Sequence, residues 1–262
     1  MFRCVFNRLI LLAGFAMAGT SQAGVTSTVV EYSSNGQAYE GLLVTPQGPA
    51  AERPLVLLIH NWKGVSEETQ KQASRFAELG YAVFAADIYG KGIRPQDAQQ
   101  AGAQATLYKS DRALFRQRLN LALDTALKQP GINTQKVAVV GYCFGGTGAL
   151  ELARSGADVL AVVSFHGGLV SPAPADGQQI KGQVLALHGA DDPFVPAGDL
   201  AAFEAEMKTN KVNFQLIQYP GAVHSFTDAG AGNDNSLGAA YNAAADQQSF
   251  EQARQLLAAT LQ

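Results

Sequence analysis

Between Val137 and Arg154 the chain runs from a wholly apolar stretch, Val137-Ala138-Val139-Val140, through Gly141-Tyr142-Cys143-Phe144-Gly145-Gly146, into a helical pattern from Thr147 to Arg154. A buried strand that turns into a helix within so few residues leaves no room for Cβ atoms beside the turn, and the glycines remove the clash. One residue, Cys143, is thereby presented at the tip of a strand–turn–helix. At a helix N-terminus, unpaired N–H groups and the helix dipole favour thiolate over thiol. The G-x-nucleophile-x-G pattern usually holds serine. A cysteine there reads as a reactive group, against the commoner fate of a free cysteine as a small buried hydrophobe.

Strand-like and helical patterns alternate along most of the chain. Val29 to Tyr32 and Tyr39 to Val44, joined by Ser33-Ser34-Asn35-Gly36, read as an N-terminal antiparallel hairpin. Apolar strands follow at Leu55–Ile59, Tyr81–Ala86, Val137–Val140, Val159–Phe165, Val184–Leu187 and Phe214–Gln218. Helices are expected from Ser66 (N-cap) to Leu79, along Phe115, Leu119, Ala122 and Ala126, after Cys143, over Ala197–Met207 and near the C-terminus. Ser171 to Gly177 reads as a loop. The expected fold is α/β: a mostly parallel sheet with helices on both faces. Such sheets carry their chemistry at the carboxyl ends of the strands.

The ends and composition narrow the class. Arg3 and Arg8 precede an apolar run, Leu9 to Gly19, and Ser21-Gln22-Ala23 offers small residues for cleavage. This reads as a secretory signal peptide over residues 1–23, with a single domain over 24–262 and a bacterial periplasmic setting. Cys4 would leave with the signal, so Cys143 would be unpaired in an oxidising compartment, as a reactive thiol is. A hydrophobic content of 47% supports a substantial core, and a net charge of −3 without a basic cluster argues against nucleic acid or an anionic membrane as partner. No later segment is long enough to span a membrane.

A thiol nucleophile needs a base, and the base needs an orienting carboxylate. Two loops after successive strands qualify: His188-Gly189-Ala190-Asp191-Asp192-Pro193 and Tyr219-Pro220-Gly221-Ala222-Val223-His224-Ser225-Phe226. His60, His166 and His188 also end strands, but only His224 follows the last strand and so matches the order nucleophile, acid, base. Asp192 is the expected acid, with Asp191 the alternative. The backbone N–H groups of Phe144 and Trp62 are the candidate oxyanion donors, and Trp62, Tyr89 and Tyr142 are candidates to line a pocket. Neither metal-ligand spacing nor a phosphate-binding glycine loop is present, so no metal and no cofactor are expected.

On the motifs GYCFGG at Cys143, DPFVP at Asp192 and HSF at His224, the chain from Tyr39 onward resembles the dienelactone hydrolase family of α/β-hydrolases. The resemblance implies a Cys-His-Asp triad of Cys143, His224 and Asp192, a covalent thioester intermediate, no cofactor, and hydrolysis of a small ester or lactone. It also points to Asn61, Phe226 and Asp228 beside the pocket. Asn61 stands where relatives carry a glutamate, and Asp228 where they carry a substrate-binding arginine. A carboxylate at Asp228 would repel an anionic substrate, which predicts a preference for neutral esters, with Lys91 or Arg94 as possible replacement cations. Two other readings compete: an inactive hydrolase fold used for binding, and a thiol-dependent redox protein, which would lack a resolving cysteine.

Overall fold

The computed structural model describes residues 24–48 and 52–262; the expected signal peptide lies outside them. Among the described residues, eight strands form one sheet: β1 (Val25–Ser34), β2 (Gln37–Pro46), β3 (Arg53–Ile59), β4 (Ala82–Ala86), β5 (Ile132–Tyr142), β6 (Ala161–Phe165), β7 (Gln183–Gly189) and β8 (Phe214–Tyr219). Their spatial order is β1-β2-β4-β3-β5-β6-β7-β8. The β1–β2 hairpin pairs antiparallel and joins the sheet antiparallel to β4, whereas β3 to β8 are parallel neighbours. Asn35 and Gly36, both at positive φ, make the hairpin turn as their sequence predicts.

Six α-helices of the described residues cover the sheet: α1 (Glu67–Ala77), α2 (Ala98–Ser110), α3 (Arg112–Leu127), α4 (Phe144–Arg154), α5 (Ala197–Thr209) and α6 (Ala243–Leu261). Ser66 caps α1 with a reciprocal Ser66–Thr69 pair of bonds. Period-two alternation sorts the strand residues between two cores. Leu55, Leu57, Ile59, Phe84 and Val139 pack with Tyr108, Phe115, Leu119, Ala149 and Phe203 from α2 to α5. Val56, Leu58, Val83 and Val140 pack with Phe76 of α1 and Leu257 of α6. The loop expected at Ser171–Gly177 runs into a 3₁₀ turn, Pro174–Gln179.

A buried ionic chain ties the first of these helix layers together. Arg154 on α4 donates to both carboxylate oxygens of Glu206 on α5 at 2.8 and 2.7 Å, to Glu151 at 3.1 Å and to the Leu169 carbonyl at 2.7 Å. Glu151 also accepts from Arg116 on α3 at 2.9 Å, and Arg116 bonds Asp176 at 2.6 Å.

Candidate active site

The turn after β5 is built by exclusion. A Cβ on Gly141 would lie 1.9 Å from the Gly145 carbonyl oxygen, and one on Gly145 would lie 2.1 Å from that of Ile59. Only glycine lets α4 start against the ends of β5 and β3. Between them Cys143 takes φ 55 and ψ −114, a strained conformation for a residue with a side chain. Its N–H donates to the Phe165 carbonyl at 2.9 Å and its carbonyl accepts from Gly146 at 3.0 Å.

The three residues singled out for chemistry meet. Cys143 Sγ lies 3.0 Å from His224 Nε2, and His224 Nδ1 lies 2.8 Å from Asp192 Oδ2. The other carboxylate oxygen of Asp192 accepts from the Phe194 N–H at 2.8 Å, so the buried acid is held at both ends. Asp191 instead points away, accepting from the Gly221 N–H at 3.1 Å. The loop carrying His224 is sewn to a later segment by His224 N–H to Gly238 and Ala240 N–H to His224, at 3.1 and 3.0 Å.

The electrostatics favour an ion pair. Burial pushes the Cys143 thiol up, but the attraction of His224, the bond to it, the charge of Lys109 and the Phe144 N–H together bring it below the ordinary thiol value. Burial depresses His224, yet the facing sulfur and Asp192 push it up to about 10. Asp192 fixes the ring so that Nε2 faces sulfur.

The remaining histidines are held differently. His60 accepts from the Ile88 N–H at Nε2 (3.3 Å), which leaves Nδ1 to donate to the Asn61 carbonyl at 2.6 Å. Both nitrogens are spent, and burial lowers its pKa to about 4. His166 is paired to Thr227, and His188 Nδ1 is buried without a partner.

A cavity of about 470 Å³ opens over the sulfur, lined by Trp62, Lys109, Cys143, Phe194, His224, Ser225, Leu237 and Ala239. Of the expected pocket residues outside the catalytic set, Trp62 alone is among them. Its N–H has no backbone acceptor among the described residues, and its carbonyl accepts from Tyr89. Tyr142 does not reach the pocket: it continues the β5 face of Ala138 and Val140 and stacks on Phe165 in the opposite core. Tyr89 is buried behind Trp62, and Phe226 is buried against His166 and Tyr219. Asn61 closes its own loop by accepting the Lys63 N–H at 2.9 Å. Lys91 pairs with Glu31 and Glu40, and Arg94 with Asp87, at the hairpin side of the sheet. Asp228 caps a 3₁₀ turn and lies 3.9 Å from Lys63, so the anion expected at the pocket is outside its lining. Lys109, on a helix the sequence reading missed, is the cation that lines it, and among the described residues it has no ion-pair partner.

A mostly parallel sheet between two helix layers, with a nucleophile turn after β5 and acid and histidine loops after β7 and β8, defines an α/β-hydrolase. The chain belongs to the dienelactone hydrolase family, whose family model matches residues 39–261. It is therefore a hydrolase of the ester- and lactone-cleaving kind. A dienelactone hydrolase-like promiscuous phosphotriesterase from metagenomic libraries superposes with a TM-score of 0.87 at 36% identity, over 91% of this chain and 100% of that one. Protein usf of Aquifex pyrophilus is 28% identical over 206 residues, 76% of this chain and 86% of its own. A carboxymethylenebutenolidase of Pseudomonas putida is 27% identical over 208 residues, 77% of this chain and 86% of its own.

Proposed function

We propose that this protein is an exported hydrolase of small carboxylic esters or lactones that works through Cys143, His224 and Asp192. The observation that carries the reading is the sulfur 3.0 Å from His224 Nε2 at the floor of the cavity. The thiolate attacks the carbonyl carbon, and the oxyanion that forms is stabilised by the N–H groups of Phe144 and Trp62. On collapse, the bond to the alcohol oxygen breaks and the His224 imidazolium protonates the departing alkoxide, leaving a thioester on Cys143. Water then attacks the thioester as His224 takes its proton, the acid is released, and the thiolate returns. Residues 1–23 would direct the chain through a secretory route into the periplasm.

Lys109 changes the expected substrate. With Asp228 outside the lining and an unpaired ammonium in it, an acyl or alcohol group bearing a carboxylate is attracted rather than repelled. The reading is tested with an activated aryl ester. Cys143→Ala should abolish turnover without loss of fold, and mass spectrometry of quenched wild type should show an acyl adduct on Cys143. Unchanged turnover in Cys143→Ala would sink the covalent mechanism; no turnover by wild type would favour a binding module. The likeness to a promiscuous phosphotriesterase favours a second reading, attack of the same sulfur on a neutral aryl phosphotriester, tested by the same variant.

A further inference from the structure

We infer that His166 and Thr227 form a latch that positions the His224 ring between Cys143 and Asp192. The inference rests on the roles proposed for Cys143 and His224, and both latch residues are positioning residues.

His166 directly follows β6, the strand beside the one that presents Cys143, and it is buried. It holds φ 39, a left-handed conformation that residues with side chains keep only where their surroundings demand it. Its Nε2 lies 2.8 Å from Thr227 Oγ1, and Thr227 is buried three residues beyond His224. Its ring meets the His224 ring at 5.2 Å and 66°, and the Phe226 ring at 5.0 Å and 80°. The ring is thus wedged between two side chains of the His224 loop and bonded to a third.

The loop needs such a hold. Ser225, next to the base, is itself at φ 57. Backbone bonds from His224, Ala240 and Asn242 fasten the loop to residues 238–242. Toward the sheet, the side-chain bonds of residues 224–227 are those of His224 to Asp192 and Cys143, and Thr227 to His166. Loss of the last leaves the base held toward the sheet by its own bonds to Asp192 and Cys143 alone, and displacing a catalytic ring by a fraction of an ångström lowers the rate more than it weakens binding. Burial and the neighbouring His224 hold His166 well below the ordinary histidine range, so the latch sets no like charge against the imidazolium.

Two substitutions at Thr227 separate a latch from simple packing. Thr227→Val keeps the shape and loses the hydroxyl; Thr227→Ser keeps the hydroxyl and loses a methyl. The latch predicts a kcat loss of about tenfold or more in Thr227→Val, with KM within about twofold, and near-normal kcat in Thr227→Ser. Packing predicts the reverse order. Alkylation of Cys143 by iodoacetamide at pH 7 should slow in Thr227→Val and not in Thr227→Ser, a readout that needs no ester turnover and stands even if the proposed reaction fails. His166→Phe combined with Thr227→Val should be no worse than Thr227→Val alone, because both remove one bond. Equal kcat and alkylation rates in the Val and Ser variants would overturn the latch.

Discussion

At the scale of single residues, the reactivity of Cys143 depends on a contest between burial, which favours the thiol, and His224, which favours the thiolate. Removing the histidine leaves burial with less opposition. The wild-type alkylation rate should fall as the pH drops through the thiol pKa, which lies below the ordinary thiol value. In His224→Ala its midpoint should move up, as a pH–rate profile with iodoacetamide will show. Coincident midpoints would mean that the ion pair does not exist. The same pair bears on stability. His224, raised to about 10, stabilises the fold fully below its unfolded value and loses that contribution as the pH rises through about 10. Cys143, lowered, stabilises at pH above its unfolded value and loses that contribution as the pH falls through its folded one. Because each ion needs the other, the pair adds stability only between those two folded values.

At the scale of elements, legibility followed the size of the buried side chains. α1 and α3 bury Phe76, Phe115 and Leu119 at helical spacing, and both are plain in the sequence. α2 buries only Ala101, Ala105 and Tyr108, a stripe too small to stand out, although Asp97 caps it and the i, i+4, i+7 spacing was there to read. With that helix went Lys109. Tyr142 fails as a pocket residue for a different reason: strand alternation puts it on the face of Ala138 and Val140, in the opposite core. Cys143, Asp192 and His224 were legible because each lies in the turn or loop that follows a strand readable in the sequence. The element-level prediction concerns α2. Lys109→Met should lower kcat/KM about tenfold for an ester bearing a carboxylate and leave its neutral analogue within about twofold. Paired kinetics on the two esters decide it, and equal losses would remove Lys109 from substrate recognition.

At the scale of the whole molecule, the chain from Glu206 through Arg154, Glu151 and Arg116 to Asp176 joins α3, α4, α5 and a 3₁₀ turn without touching the sulfur. Glu206→Gln keeps the shape but leaves Arg154 one carboxylate partner, Glu151, where it had two, which should cost roughly 2 kcal/mol of unfolding free energy in urea while sparing turnover by the folded fraction. An unchanged midpoint would show that the chain contributes nothing. The cavity has the opposite character. Cys143, Asp192 and His224 stand in turns and loops that follow strands of the sheet, but its walls come from separate surface segments: Trp62 after β3, Lys109 on α2, Phe194 before α5 and Leu237 in a late turn. Phe194 and Leu237 are 61% and 72% exposed, so replacing them disturbs little that folding depends on. Machinery and wall can therefore drift at different rates: a lineage could exchange one substrate for another through these side chains, each trial nearly free of folding risk, with the sulfur and its partners held fixed beneath.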